Sequence, residues 1–175
     1  MDDDKQVKCL DIRPFQETLG GGYCGPASLK MIMDYYGVEK SEEELAVMCN
    51  RDPDLGVDDK AIKKTAEKLG FKVEIQNHSS LDHISEWLNK KTPVIVNWFT
   101  KGRCDYPEDE VADGHYSVVI GLDNEFVYLQ DPEVGRMRKI DRKDFYRVWF
   151  DFSSENINKW EDMIIRQIIV VYRQP

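Results

Sequence analysis

The order of apolar and polar positions predicts a helix-rich first half of the chain. Apolar residues occupy nearly every side of the segment from Cys24 to Tyr36, which Gly37 ends as a C-terminal cap. Because a helix that is apolar all round belongs in the interior of a protein, we predict a buried central helix that begins at Cys24. Three more helices are predicted from capping residues and helical spacing: over residues 41–49, over 58–69, and from Ser79 or Ser80 to about residue 88.

The second half of the chain is predicted to form an antiparallel sheet. Val94–Phe99 is a continuous apolar run, as expected of a strand that is buried on both faces. Residues 116–121 and 126–130 are joined by the short turn Asp123-Asn124-Glu125 and predict a β-hairpin. Because helices come first and antiparallel strands second, we predict an α+β domain of two packed halves. The remaining predicted elements are a strand at 71–76, a short helix within 141–150 and a β-rich segment at 163–172.

Length and composition indicate one globular domain. The chain has 175 residues, of which 41% are hydrophobic, and this is enough to form a core without disulfides or a structural metal. Residues 1–13 are mostly polar and are predicted to form a loose N-terminal arm, which leaves 14–175 as a single domain. We expect neither a signal peptide nor a membrane helix, because no apolar run approaches the ~18 residues that a membrane helix needs.

Charge and cysteine content narrow the classes of function. The 33 acidic and 24 basic side chains give a net charge of −9 without a basic block, so nucleic acid and anionic membranes are unfavourable partners. The four cysteines are widely spaced and form no C-x-x-C pair, which argues against a zinc ribbon and a disulfide scaffold. We therefore expect a cytoplasmic protein, and the sequence does not predict its oligomeric state.

Cys24 is the strongest candidate for a reactive residue. It follows the glycine run 20–22 and begins the central helix, so backbone N–H groups and the positive end of the helix dipole face its sulfur. Such a position stabilises the thiolate, which is the nucleophilic form of cysteine. Cys9, Cys49 and Cys104 have no partner that suggests a mechanism, and we interpret them as structural.

A nucleophilic cysteine needs a base and a group that orients the base. His115 lies where a loop leads into an apolar strand, which is a rigid position for a general base. Asp131 ends the second strand of the predicted hairpin, so residues 115 and 131 are predicted cross-strand neighbours with the carboxylate within reach of the imidazole. An Asp-Pro pair is also a common turn signal, and the residues alone do not separate the two interpretations. His78 and His83 are interpreted as solvated surface residues.

Two further features near these residues have open interpretations. The Gln16 side-chain amide, together with the Cys24 N–H, could donate hydrogen bonds to a developing oxyanion, although a surface glutamine is the simpler interpretation of the residue alone. An acidic loop precedes His115 and either attracts a basic peptide or cation to the cleft or is simply solvated. Its acidic residues are Asp105, Glu108, Asp109, Glu110 and Asp113.

The candidate residues occur in an order that resembles a known family. Gln16, the segment GYCGPASLKM at 22–31, the segment GHYSVVIG at 114–121 and the pair Asp131-Pro132 resemble the papain-like cysteine peptidases of the bacteriocin-processing (double-glycine leader) type and their stand-alone relatives. The resemblance covers roughly residues 14–136. It implies a papain-like α+β fold in which a helical half carries the cysteine and an antiparallel sheet half carries the histidine.

The resemblance also implies a role for each residue. Cys24 would be the nucleophile, His115 the general base, Asp131 the group that orients the base and Gln16 the oxyanion donor, in hydrolysis of a peptide or amide bond through a Cys24 thioester. No metal or organic cofactor is implied, and the expected partner is a peptide or protein substrate, for which a basic peptide suits the acidic charge.

Two other functions remain open on the sequence alone. One is a non-catalytic papain-like module that binds peptides. It is suggested by Tyr23, where the processing enzymes usually have an acidic residue, and by the long spacing from Gln16 to Cys24. The other is acyl or peptidyl transfer, because the same thioester can react with an amine instead of water.

Overall fold

The computed structural model describes residues 9–104, 114–153 and 158–174. Four of the α-helices in these ranges begin at a side chain that accepts a hydrogen bond from the first turn, as Ser41, Asp58, Ser80 and Asp141 do. The helix that begins at Cys24 has no such side-chain cap. The helices are α1 (Cys24–Tyr35), α2 (Glu42–Met48), α3 (Asp59–Lys68), α4 (Leu81–Asn89) and α5 (Arg142–Val148).

The strands of the described ranges form two antiparallel sheets. They are β1 (Lys72–Gln76), β2 (Val94–Phe99), β3 (Gly114–Leu122), β4 (Phe126–Asp131), β5 (Arg136–Asp141), β6 (Phe150–Phe152), β7 (Met163–Ile165) and β8 (Ile168–Tyr172). The larger sheet has six strands in the order β1-β8-β2-β3-β4-β5, and β6 pairs with β7 in the smaller sheet.

Helices cover both faces of the large sheet. On one face, Leu29 of α1 packs with Ile95 and Val118 of the central strands, and α2 and α3 complete this core. On the other face, Ile84 of α4 and Phe145 of α5 belong to a second buried cluster. Burial of these apolar side chains is the main stabilising contribution to the fold. The start of α1 lies close to the start of β3, because a Cβ on Gly25 would lie 3.4 Å from the Tyr116 ring.

The α+β class, the buried central helix and the hairpin are confirmed, whereas two strand predictions need correction. The sequence pattern does not predict β5, because an edge strand with mostly exposed side chains lacks apolar alternation. Residues 163–172 form two strands instead of one. Arg166 has a φ of +47° between them, and β7 and β8 pair in different sheets.

The N-terminal segment is attached to the sheet from residue 9 onward. The Leu10 N–H donates to the Ile120 carbonyl at 2.8 Å, and the Gln130 amide donates to the Ile12 carbonyl at 2.8 Å. The Ile12 side chain is buried in the core. Residues 9–13 therefore do not form the loose arm that their polarity predicts, because one apolar side chain and two hydrogen bonds hold them.

Candidate active site

Cys24 is the first residue of α1 and lies half-buried in the wall of a cleft. Because the helix has no side-chain cap, its first N–H groups and the positive end of its dipole lie at the sulfur. Glycines on both sides of the cysteine allow close packing. A Cβ on Gly25 would lie 2.2 Å from Val57 Cγ2, and a Cβ on Gly22, which has a φ of +68°, would lie 2.4 Å from Gly56 Cα.

His115 and Asp131 form a buried pair at the same end of the sheet. The His115 Nε2 atom lies 2.6 Å from Asp131 Oδ1, and both side chains are fully buried. The two residues are diagonal neighbours and not directly opposite. Val118 pairs with Gln130, so the same register would continue with Ser117 opposite Asp131. The predicted contact of carboxylate and imidazole is therefore present, but across a diagonal of the hairpin.

Arg138 also contacts Asp131, and the sequence pattern does not predict this contact. Its Nε donates to Asp131 Oδ2, while the Glu133 N–H donates to Oδ1 at 3.0 Å. Arg138 lies on β5, two residues beyond Arg136, which pairs with Asp131. It is missed because β5 is not predicted. The available signal is Gly135, which closes a tight turn after Asp131 and so predicts a second hairpin.

Trp98 forms a wall beside the imidazole. It pairs with His115 across β2 and β3, and the two ring centroids are 6.3 Å apart. The Trp98 Nε1–H donates to Ser117 Oγ at 3.0 Å, so the buried indole has a satisfied donor and a fixed orientation.

Charge in this cluster favours a protonated imidazole beside an ionised carboxylate. Burial opposes protonation of His115, but the charge of Asp131, its hydrogen bond and the Cys24 sulfur raise the pKa of His115 well above its ordinary value. Burial raises the pKa of Asp131, yet His115 and Arg138 lower it more, to about 2. Among the described residues, His115 Nδ1 has no hydrogen bond of full geometry, while the Cys24 sulfur lies close enough to the ring to raise its pKa.

Gln16 does not donate into the cleft in this structure. Its amide nitrogen donates to the carbonyl oxygen of Glu133 at 2.6 Å and to that of Pro132 at 3.1 Å. A side-chain amide has two protons, and these two bonds use both. Gln16 is therefore attached to the turn that follows Asp131, and its oxyanion role stays a prediction.

Glu17 reaches the cleft instead, and the sequence reasoning misses it because nothing in the local pattern marks it. The side chain is 9% exposed and lines the same cavity as Cys24 and His115. Its backbone N–H donates to the Pro132 carbonyl at 2.9 Å, which fixes its position next to Gln16. Burial raises the pKa of Glu17 to about 7, a rise that His115 opposes and neighbouring carboxylates increase.

The cleft has a volume of about 1560 Å³ and lies between the start of α1, the loop that leads into α3, and the start of β3. This space accommodates several residues of an extended peptide. Its apolar lining includes Leu19, Leu55, Val57, Phe99 and Phe152. Among the residues that the structure describes, its charged lining includes seven carboxylates, Glu17, Asp52, Asp54, Asp58, Asp59, Glu133 and Asp151, and three lysines, Lys60, Lys64 and Lys68.

The other residues singled out from the sequence have different positions. Cys49 is buried with its thiol 3.3 Å from Thr65 Oγ1, whereas Cys104 is exposed, with Sγ 3.2 Å from Asp144 Oδ1. His83 is not simply solvated, because its Nδ1 accepts the Ser80 N–H and caps α4. The acidic loop with Asp105, Glu108, Asp109, Glu110 and Asp113 lies outside the described residues.

The described residues include neither a cluster suited to a metal ion nor a helix that could span a membrane. Within residues 9–104, 114–153 and 158–174, no group of three or more His, Cys, Asp or Glu side chains is placed to hold a metal ion. No helix in the part of the chain that the structure describes is long and apolar enough to cross a membrane.

The fold, with a cysteine at a helix start and a histidine on the adjoining sheet, defines the class of papain-like cysteine peptidases. The chain belongs to the Peptidase C39-like family, whose model matches residues 9–157, and the resemblance predicted from the sequence is thereby confirmed. The lactococcin-A transport/processing ATP-binding protein of Lactococcus lactis subsp. lactis is 31% identical over 132 residues. These residues are 74% of this chain but 17% of that relative, so the chain spans about a sixth of its length.

Solved structures confirm the papain-like fold. The peptidase domain of Streptococcus ComA, a bi-functional ABC transporter of a quorum-sensing pathway, has a TM-score of 0.69 at 19% identity over 93% of this chain and 99% of that one. A double-glycine motif protease from an AMS/PCAT transporter, in complex with the leader peptide, has a TM-score of 0.62 at 19% identity over 97% and 100%. The Carica candamarcensis cysteine protease CMS1MS2 has a TM-score of 0.59 at 12% identity over 94% of both chains.

Proposed function

We propose that this chain is a cysteine peptidase that hydrolyses a peptide bond through a thioester on Cys24. The observation that carries the proposal is the buried His115–Asp131 pair, 2.6 Å apart, beside a cleft that Cys24 lines. A nucleophile, a base and a group that orients the base are the minimum for nucleophilic catalysis. Membership of the Peptidase C39-like family supports the same reaction class.

The proposed reaction uses His115 as both base and acid. His115 Nδ1 takes the thiol proton, and the Cys24 sulfur attacks the carbonyl carbon of the scissile bond. The C–N bond then breaks, and the imidazolium returns the proton to the departing amine. Water attacks the thioester with His115 again accepting a proton, which releases the carboxylic acid and restores the thiol. Asp131 holds the imidazole in one tautomer and stabilises its charged form.

Stabilisation of the oxyanion is proposed to begin with the backbone N–H of Cys24, at the positive end of the helix dipole. Gln16 is the proposed second donor. Because both of its amide protons bond to carbonyl oxygens after Asp131, its donation requires release of at least one of these hydrogen bonds when substrate binds.

A peptide is the proposed substrate class. The curated relative is named for transport and processing, and one solved neighbour is a double-glycine motif protease bound to a leader peptide. An extended cleft with apolar and acidic lining suits a peptide chain better than a small metabolite. A peptide with a Gly-Gly pair is therefore the first substrate to try.

The test is the formation of a covalent adduct. Wild-type protein would be treated with a peptidyl acyloxymethyl ketone and mapped by mass spectrometry, and separately incubated with Gly-Gly and unrelated peptides. We expect the adduct on Cys24, and both adduct and cleavage lost in Cys24→Ala. The matched control is Cys104→Ala, which removes an exposed thiol away from the cleft and should change neither result.

Three outcomes decide between the proposal and its alternatives. Cleavage that is equal in wild type and Cys24→Ala would refute the proposal. Peptide binding without adduct or cleavage would identify a non-catalytic binding module. A product joined to an added amine, in place of the free acid, would identify acyl transfer.

A further inference from the structure

The Glu17 carboxylate is a costly group for this position. The residue is 9% exposed, its side chain has no hydrogen bond or ion pair within the described ranges, and its carboxyl oxygens remain accessible from the cavity. Burial without a partner disfavours the ionised form, which raises the pKa of Glu17 to about 7. The side chain lines the cavity that contains Cys24 and His115, so a bound ligand can reach it.

The surroundings of Glu17 select for positive charge. Glu133, which interacts with Glu17, and Asp151, which lies beside Gly114 at the start of β3, line the cleft together with four aspartates of residues 52–59. The three lysines of the lining are four residues apart on α3, so they form a single stripe along that helix. Among the described residues, the lining therefore carries more acidic than basic side chains, and its lysines all lie on α3.

The groups that face Glu17 determine when it is charged. They are His115 at the start of β3, Asp131 at the end of β4, Glu133 in the following turn and Glu42 of α2. His115 favours the ionised carboxylate, and burial and the three carboxylates disfavour it, so the pKa of Glu17 is about 7. A cation placed against Glu17 would favour ionisation further.

We propose that Glu17 forms a subsite that binds a cationic group of the substrate, either a lysine or arginine side chain or an N-terminal ammonium, beside the Cys24 thiol. This inference rests on the proposed peptidase function, because it treats the bound peptide as a substrate. The binding itself requires no catalysis. It makes Glu17 a specificity-determining residue. It also gives the acidic cleft a definite occupant, a basic peptide.

Binding would be measured by calorimetry on the full chain with Cys24→Ala, so that no peptide is consumed. A neutral peptide with a blocked N-terminus would carry one lysine at successive positions, each compared with the same peptide containing Nε-acetyl-lysine. At one position lysine should bind about tenfold more tightly, as expected for a buried charge-assisted hydrogen bond. A peptide with a free N-terminus and no lysine distinguishes the ammonium from the side chain.

The variant and its control test the role of Glu17 itself. Glu17→Gln should reduce the lysine to acetyl-lysine ratio to about one, whereas Glu86→Gln, which removes the same charge from an exposed site on α4, should leave the ratio unchanged. In protein that retains Glu17, the affinity for the lysine peptide relative to the acetyl-lysine peptide should rise between pH 6 and pH 8 as the Glu17 carboxylate ionises. This second readout decides the question even if Glu17→Gln does not fold.

Different results would refute the subsite proposal and the peptidase proposal. A lysine preference that persists in Glu17→Gln, or no preference at any position and either pH, would overturn the subsite, whatever the cleavage assays show. If the lysine preference depends on Glu17 but the wild-type protein never forms an adduct on Cys24, the subsite is supported and the peptidase proposal is refuted.

Discussion

Acid should remove most of the stability that the ionised Asp131 contributes. The pKa of this buried carboxyl is lowered from 3.8 to about 2, chiefly by His115 and Arg138 acting against burial. A shift of this size corresponds to about 2 to 3 kcal/mol of stability, since one pKa unit is worth about 1.4 kcal/mol. Because the folded state favours the ionised form, this contribution is complete above about pH 4 and is lost as the pH falls through 2.

The perturbation is Asp131→Asn, which keeps the shape of the side chain but cannot ionise. The free energy of unfolding would be measured by urea titration from pH 6 to pH 2 for wild type and variant. The difference between the two proteins should shrink by about 2 kcal/mol across this range, because only the wild type loses an ionised Asp131. In the wild type, His115 is protonated in the folded state throughout this range, so it adds little pH dependence of its own.

The control is Asp34→Asn, which removes an exposed carboxylate that pairs with Lys30 at 3.0 Å. Water screens this pair, so its stability difference from wild type should be small and nearly constant with pH. If the difference between wild type and Asp131→Asn does not change between pH 6 and pH 2, the buried ion pair described here does not exist in solution.

Three further predictions follow from the site. His115→Asn should slow alkylation of Cys24 by iodoacetamide at pH 6 about tenfold, because an imidazolium no longer stabilises the thiolate; an unchanged rate contradicts the pairing. Gly22→Ala should lower the free energy of unfolding by about 1–2 kcal/mol, owing to its positive φ and close backbone contact. Ser117→Ala should lower it by about 1–3 kcal/mol by leaving the Trp98 N–H unpaired, and a neutral result would refute that hydrogen bond.

Some residues of the candidate site can be predicted from the sequence, and others cannot. Cys24 and His115 are found because each begins an element whose apolar pattern is unmistakable, a buried helix and a buried strand. Asp131 is found because a short turn fixes which strand ends meet. Its diagonal placement is not found, because it depends on a one-residue register shift between Val119 and Gly121, which moves Asp131 from opposite Val118 to opposite Ser117.

The positions of Arg138 and Glu17 in the site cannot be predicted from the sequence pattern. Arg138 lies on an edge strand, where exposed side chains leave no apolar alternation to detect. Glu17 and Gln16 are adjacent, and only the packing of their segment against the turn after Asp131 decides which of the two faces the cleft. The Gln16 amide bonds to a carbonyl 117 residues away, and no local pattern contains that information.

The sequence alone determined most of the elements, the α+β class and the family resemblance, and it predicted Cys24 and His115 as a pair, because caps, periodicity and short turns act between residues close along the chain. Tertiary structure decided what surrounds that pair: the Arg138 contact with Asp131, the commitment of Gln16 to backbone carbonyls and the buried, unpaired Glu17 in the cleft. These features depend on which distant segments meet, and that is set by burial of the whole core, to which each local segment contributes only a part.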